Sequence, residues 1–370
     1  MKKIAFITAS PETISSFLLA YVGALAEKYE IHVITNLNGL SSVRGLPENF
    51  IVHDINIARN PDIFRDIGAL YQLYKLFKQQ QYDVIHSFTP KAGLLSQLSS
   101  YAARIEYRFH TFTGQVWATK SGASRFLLRF LDSITATLST HSLVDSPSQQ
   151  QFLIEEKLLT NANSTVLASG SISGVNIENF NFSAELREQL RAKHNFKNDD
   201  FIFLFVGRLK VEKGVPELLN AFKTLQKTHA AKLILIGTDE DNLTSLYSKE
   251  KNIHYIGFKT NISDYYSMAD VLCLPSHREG FGNVIIEAAS CKLPAIASNI
   301  YGLSDAVSHN VSGLLHPVKD GSAILSCMKQ IIENPMTLKE MKEKSRTRIE
   351  NTFDEKLLIQ EFVNFYEKKL

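Results

Sequence analysis

Short apolar runs rich in β-branched and aromatic residues alternate with helical patterns along this chain, and the series occurs twice. In the first half the runs are 4–8, 31–35, 84–86, 109–113, 142–145 and 165–168. In the second they are 201–206, 233–236, 254–256, Val271–Leu274, 295–297 and 314–316. Helical stretches such as Ile63–Gln80 and 216–228 lie between them. Strands alternating with helices predict a parallel sheet covered on both faces. The repetition predicts an α/β chain of two Rossmann-like, doubly wound domains. Small and polar residues from Ser169-Gly170-Ser171 to Lys197-Asn198-Asp199-Asp200 mark the break. The expected domains are 1–170 and 199–354, with a linker region at 171–198. A last helix, about 355–370, carries Leu358, Phe362 and Phe365 at helical spacing, with Ile359, Val363 and Tyr366 beside them. Such a stripe must pack on something.

A length of 370 residues, 44% of them hydrophobic, supplies core enough for two domains. A net charge of only +2 gives no footprint for nucleic acid. The three cysteines, Cys273, Cys291 and Cys327, lack metal-ligand spacing, and no metal site is expected. Their sparse, odd count fits a reducing compartment. Lys2-Lys3 before an apolar run resembles a secretory start, but Ser10-Pro11-Glu12-Thr13 interrupts it, and a first sheet strand fits better. No run approaches the ~20 apolar residues of a membrane span. The expected location is cytoplasmic, extending to the inner face of the plasma membrane.

The segment Glu279-Gly280-Phe281-Gly282-Asn283-Val284-Ile285-Ile286-Glu287 follows the buried run Val271–Leu274. An acid at a strand's C-terminal end, then glycine, then a helix start is how an α/β sheet builds a ligand site. The first helical turn suits a phosphate. Glu279 and Glu287 suit hydroxyl groups, because ionised carboxylates accept hydrogen bonds strongly. A nucleotide sugar has that layout of sugar, diphosphate and ribose. Taken alone, two acids eight positions apart read as a loop acid and a solvated helix acid. A second segment changes the balance. Gly207-Arg208-Leu209-Lys210-Val211-Glu212-Lys213-Gly214 also joins a buried run to a helix, one with Pro216 near its start. Arg208 can fork onto a diphosphate and Lys213 can act as a point charge. Strands of one parallel sheet end along one edge, so the two loops are expected to converge.

These segments, with Pro275-Ser276, Glu287-Ala288, Leu293-Pro294, Gly302 and Gly313-Leu314-Leu315, resemble the retaining glycosyltransferases of family 4. The first half resembles the polysaccharide-assembly branch (O-antigen and capsule) through Asp83-Val84-Ile85-His86, Thr89-Pro90-Lys91-Ala92-Gly93 and Asp145-Ser146-Pro147-Ser148. The resemblance implies the GT-B fold, two Rossmann-like domains facing a central cleft. It implies transfer of a hexose from a nucleotide sugar, with UDP favoured, to a glycan acceptor carried on a lipid diphosphate, with retention and without a metal. No cofactor is implied beyond the nucleotide-sugar co-substrate. Arg208 and Lys213 would hold the diphosphate and Glu279 the sugar hydroxyls. Gly207, Phe281, Gly282, Asn283 and Val284 would line the donor, and Glu287 would bind the ribose. The loop at Gly257 would lie near the base, and the last helix would cross back to the first domain.

Two departures touch the acceptor side. The loop Thr8-Ala9-Ser10-Pro11-Glu12-Thr13 lacks the paired glycines of many relatives. Thr111-Phe112-Thr113-Gly114 has Thr113 where many have a histidine facing the reacting sugar. His110 is a candidate substitute, but strand alternation sets it on the face opposite Thr113. His86, at a strand end, is open to cleft-lining and structural readings alike. Phe112, Trp117, Lys120, Arg125, Phe126, Arg129 and Phe130 interleave cations with large apolar groups. That segment suits a membrane surface or a helix packed on the core. Two rival functions share this pattern, a non-catalytic nucleotide-sugar-binding subunit and a GT-B sugar-nucleotide epimerase. The first should have lost the ionic contacts, and the second needs acid/base residues that the sequence does not display. A dehydrogenase is weaker still, since no G-x-G-x-x-G follows the first strand.

Overall fold

The computed structural model describes residues 1–47, 50–58 and 62–370. They form two compact units, Met1–Ser173 with Leu358–Leu370, and Gly174–Leu357.

The first unit is built on seven parallel strands: β1 (Lys3–Ile7), β2 (Glu30–Thr35), β3 (Ile51–Asp54), β4 (Val84–Phe88), β5 (Tyr107–Phe112), β6 (His141–Val144) and β7 (Ser164–Val166). Their order is β3-β2-β1-β4-β5-β6-β7. The chain steps outward from β1 to β3, then returns beside β1 and steps out the other way. Side chains alternate across the pleat. Ile4 and Phe6 face a core shared with Tyr21, Val22 and the last helix, whose Leu358, Phe362, Phe365 and Tyr366 are buried there. Ala5 and Ile7 face the opposite core, with Ala69, Leu73 and Phe77 of helix Ile63–Gln80 and Ala92 and Leu95 of helix Pro90–Ala102. The sequence reading missed β3. It is a four-residue edge strand, partly exposed throughout, so it has no apolar run to give it away.

The second unit repeats the plan with β8 (Ile202–Val206), β9 (Lys232–Ile236), β10 (Ile253–Gly257), β11 (Val271–Leu274), β12 (Ala295–Ser298) and β13 (Gly313–His316), in the order β10-β9-β8-β11-β12-β13. All neighbours are parallel. The stretch expected as a linker holds helix Ala184–Lys193. Its Arg187 and Arg191 bind Asp270 at 2.8 and 3.0 Å, which fastens the helix beside the start of β11. Helix Val215–Leu225 stops short of the expected residue 228, where the Thr228 hydroxyl bonds back to the Leu225 carbonyl.

Candidate functional site

In the second sheet the topology reverses between β8 and β11. Loops leaving the C-terminal ends of those strands flank the crevice where open α/β sheets bind ligands. The loop after β8 carries Gly207 to Gly214, with a single 3-10 turn at Val211–Lys213. The loop after β11 carries Pro275 to Gly282 and feeds helix Asn283–Ser290. The two loops touch. The His277 amide donates to the Glu212 carbonyl at 2.9 Å, and Arg278 lies 3.6 Å from the Glu212 carboxylate. A β-carbon on Gly214, whose φ is +69°, would overlap the Pro275 carbonyl oxygen. Only glycine allows this approach.

Lys213 and Glu279 meet in this contact. The Lys213 ammonium donates to Glu279 Oε1 at 2.6 Å, and the Ser276 hydroxyl donates to the same oxygen at 2.8 Å. Both charged side chains are about 15% exposed (16% and 15%), so the pair is shielded yet open to a ligand. Arg208 is less enclosed, at 40% exposed. Its guanidinium lies 3.3 Å from Glu240 and 3.8 Å from Glu212. Glu240, on the loop after β9, also takes Lys210 at 2.9 Å. A cationic rim therefore borders the crevice, held by acids that an anionic ligand would have to displace.

Gly282 caps helix Asn283–Ser290 with φ +86°, a left-handed turn that aims the helix start at the loop. Phe281 is buried against Phe353, with ring centroids 5.3 Å apart, so only its backbone faces the site. Val284 packs on the core from the first helical turn. Glu287, one turn on, accepts a 2.8 Å hydrogen bond from the buried Tyr266 hydroxyl. Burial raises the Glu287 pKa above the ordinary carboxylate value, and the Tyr266 bond opposes the rise. Gly207 and Gly257 close β8 and β10 on the same edge, and the Gly257 carbonyl accepts from the Gly237 amide at 3.1 Å. The structure thus joins Lys213 to Glu279 directly. It sets Arg208 in a neighbouring ion cluster, and fixes Glu287 separately on the helix.

Sequence reasoning missed Tyr266, Ser276's bond, Glu240, and the pair His277–Glu217 at 3.0 Å. Ser276 stood in the quoted motif and is findable by its spacing of three from Glu279. Tyr266 and Glu240 follow no motif, because their partners lie 21 and 32 residues away.

On the acceptor side the structure corrects two expectations. His86 is fully buried. Its Nδ1 meets the Tyr366 hydroxyl at 2.6 Å and its Nε2 the Thr111 hydroxyl at 2.8 Å. It anchors the last helix, and burial drives its pKa well below the usual value. His110 is 2% exposed, bonded to Ser87 at 2.9 Å, with its pKa pushed down by burial to about 3. Both are neutral core histidines, closed to an acceptor as they stand. Thr113 follows β5 at the C-terminal edge of the first sheet and is partly exposed.

Comparison with known proteins bears on this arrangement. Residues 3–137 match the family described as glycosyl transferase 4-like, and residues 187–348 match glycosyl transferases group 1. Each unit thus matches one glycosyltransferase family, and the fold is that of the GT-B glycosyltransferases. It is 29% identical over 327 residues to the capsular polysaccharide biosynthesis glycosyltransferase CapM of Staphylococcus aureus, covering 86% of this chain and 85% of that one. It is 25% identical to the Escherichia coli UDP-Gal:α-D-GlcNAc-diphosphoundecaprenol α-1,3-galactosyltransferase, covering 80% of this chain and 78% of that one. Sucrose-phosphate synthase from Thermosynechococcus elongatus shares the fold, with a TM-score of 0.83 at 20% identity, covering 100% of this chain and 99% of that one.

Proposed function

We propose that this chain transfers a sugar from a nucleoside-diphosphate donor, UDP-sugar favoured, to a glycan carried on a lipid diphosphate, with retention at the anomeric carbon. The observation that carries the donor half is the Lys213–Glu279 bond at the switch point of the second sheet. It sets a cation for a diphosphate beside a carboxylate for sugar hydroxyls, next to a helix start. The E. coli relative, named for UDP-galactose and a diphosphoundecaprenol acceptor, supports the donor base and the acceptor class.

In this reading the acceptor oxygen bonds to the anomeric carbon on the face the diphosphate leaves. The carbon–oxygen bond to phosphate breaks, and the acceptor's hydroxyl proton passes to the departing phosphate oxygen. Arg208 and Lys213 stabilise the charge that develops there. Glu279 orients the sugar hydroxyls, while backbone at Phe281, Gly282 and Asn283 positions sugar and phosphate. Glu287 accepts from the ribose, Gly257 leaves room for the base, and Thr113 borders the acceptor. Incubating the purified protein with a panel of nucleotide sugars and lipid-diphosphate acceptors, followed by mass spectrometry and NMR of the anomeric proton, tests this. A product of retained configuration is expected. An inverted linkage, or sugar release without transfer, overturns it.

The two carboxylates should separate kinetically. Glu279→Gln is expected to lower kcat about tenfold, because it touches the sugar as the bond breaks. Glu287→Gln is expected to raise the donor KM by a similar factor, because its ribose contact is the same before and during the reaction. Nucleoside diphosphate binding that suffers more in the Glu279 variant would require the roles to be exchanged.

Transfer should also survive chelation. Arg208 and Lys213 already supply positive charge at the diphosphate. Turnover in EDTA should stay near its starting value, and loss of activity restored by Mg²⁺ or Mn²⁺ would refute this part of the chemistry.

A further inference from the structure

The first unit carries apolar side chains on its surface that internal packing does not use. Helix Ile63–Gln80 sends Ala69, Leu73 and Phe77 into the core. Its opposite side leaves Ile63, Phe64, Ile67 and Tyr71 exposed by 75%, 89%, 62% and 65%. Positions 63, 67 and 71 repeat every four residues and form one stripe. Helix Gly122–Leu138 leaves Phe126, Leu127 and Phe130 exposed by 73%, 56% and 52%. Both helices pack against helix Pro90–Ala102. Each starts at the C-terminal edge of the first sheet, so the exposed groups gather toward the end of the unit where Thr113 lies.

The charges around these stripes are sorted by exposure. Arg65, Lys75 and Lys78 on the first helix, and Lys120 before the second, are exposed. The acids on the helices themselves are turned inward, while Asp62, which caps the first helix, is partly exposed and pairs with Arg65 at 3.3 Å. Asp66 pairs with Lys91 at 2.6 Å, and Asp132 accepts from the buried Trp117 indole at 2.7 Å. Arg125 and Arg129 are held by Glu156 at 2.5 and 2.9 Å. Among the described residues of the two helices, every exposed charged side chain is a cation. The basic-aromatic segment read from sequence is thereby divided. Trp117 and the two arginines hold the unit together, while Phe126 and Phe130 face out, and helix Ile63–Gln80 supplies a stripe the sequence reading did not single out.

We propose that this face of the first unit docks on an anionic lipid bilayer. Aliphatic and aromatic groups would enter the boundary of headgroups and acyl chains, and the exposed cations would meet lipid phosphates. Among the described residues no helix is long and apolar enough to cross a membrane, so the proposed contact is peripheral. The inference rests for its purpose on the lipid-linked acceptor reading, because such an acceptor is itself held in the bilayer.

Flotation with vesicles of phosphatidylcholine containing phosphatidylglycerol, against phosphatidylcholine alone, tests it. The full chain should float with the anionic vesicles, less with the zwitterionic ones, and less in high salt. F64E/I67E and F126E/F130E should each lower the partition coefficient about tenfold or more. K75E/K78E should lower it about tenfold through charge alone. All three change exposed side chains, and circular dichroism melting should match the parent. Binding that ignores all three overturns the proposal. So does a self-associating protein, by sedimentation velocity, whose dimer the variants abolish and which binds no vesicles. Transfer to a lipid-diphosphate acceptor in detergent without vesicle binding removes the docking face and leaves the acceptor reading intact. Vesicle binding with transfer only to free sugars does the reverse.

Discussion

Lys213→Ala is expected to slow transfer by about 100-fold or more, the usual cost of one lost charge contact to a developing anion. The fold should survive. Lys213 sits in a 3-10 turn that holds no buried residue. Its removal leaves Glu279 with Ser276 as the hydrogen-bond donor that remains from the present pair. Sugar orientation should weaken together with charge stabilisation, so the loss should fall mainly on kcat. Arg208→Ala should act at the same step through a different geometry. Its guanidinium is more exposed and shared between Glu240 and Glu212, so it must swing from those acids to a diphosphate. Arg208→Lys should restore little, since a point charge does not replace a forked donor. Single-turnover rates on the folded variants decide the matter. Wild-type rates in either alanine variant would remove that residue from the chemistry.

Legibility in the sequence followed burial. Strands β8 and β11 stand out because both faces of the sheet are covered, so Phe203, Leu204, Leu272 and Cys273 fall in unbroken apolar runs. Edge strand β3 is half-wetted and left no such mark. Helix Ile63–Gln80 was readable, but not which of its apolar groups face out. Ile67 and Leu73 look alike until the neighbouring helix and sheet are known. The site divides the same way. Lys213 and Glu279 announce themselves by their place after buried strands, whereas their mutual bond spans 66 residues. His86 was visible as a histidine at a strand end. Its role is fixed by Tyr366, 280 residues away, and no local pattern carries that information.

Gly214→Ala should be nearly as damaging as loss of the lysine, with no functional group removed. Gly214 caps helix Val215–Leu225 in the left-handed region, at φ +69° and ψ +18°. Alanine there costs about 1 kcal/mol in backbone strain alone. The larger effect is steric. The new methyl group would overlap the Pro275 carbonyl, which is backbone and cannot rotate away. The loop bearing Lys213 and the loop bearing Ser276 and Glu279 must therefore move apart. A displacement of about 1 Å in positioning groups costs on the order of 100-fold in rate. Gly214→Ala is thus expected to lower kcat/KM by about that factor and to lower the melting temperature, with nucleoside diphosphate binding weakened as well. Gly39→Ala, in the first unit, provides the contrast. It has a similar positive φ, +81°, but among the described residues the added methyl would meet no atom within 4 Å beyond its chain neighbours. It should lose comparable backbone stability while keeping the Lys213–Glu279 contact, and transfer should fall far less. Equal kinetic damage from the two substitutions would show that backbone strain, rather than the close approach of the two loops, is what the activity depends on.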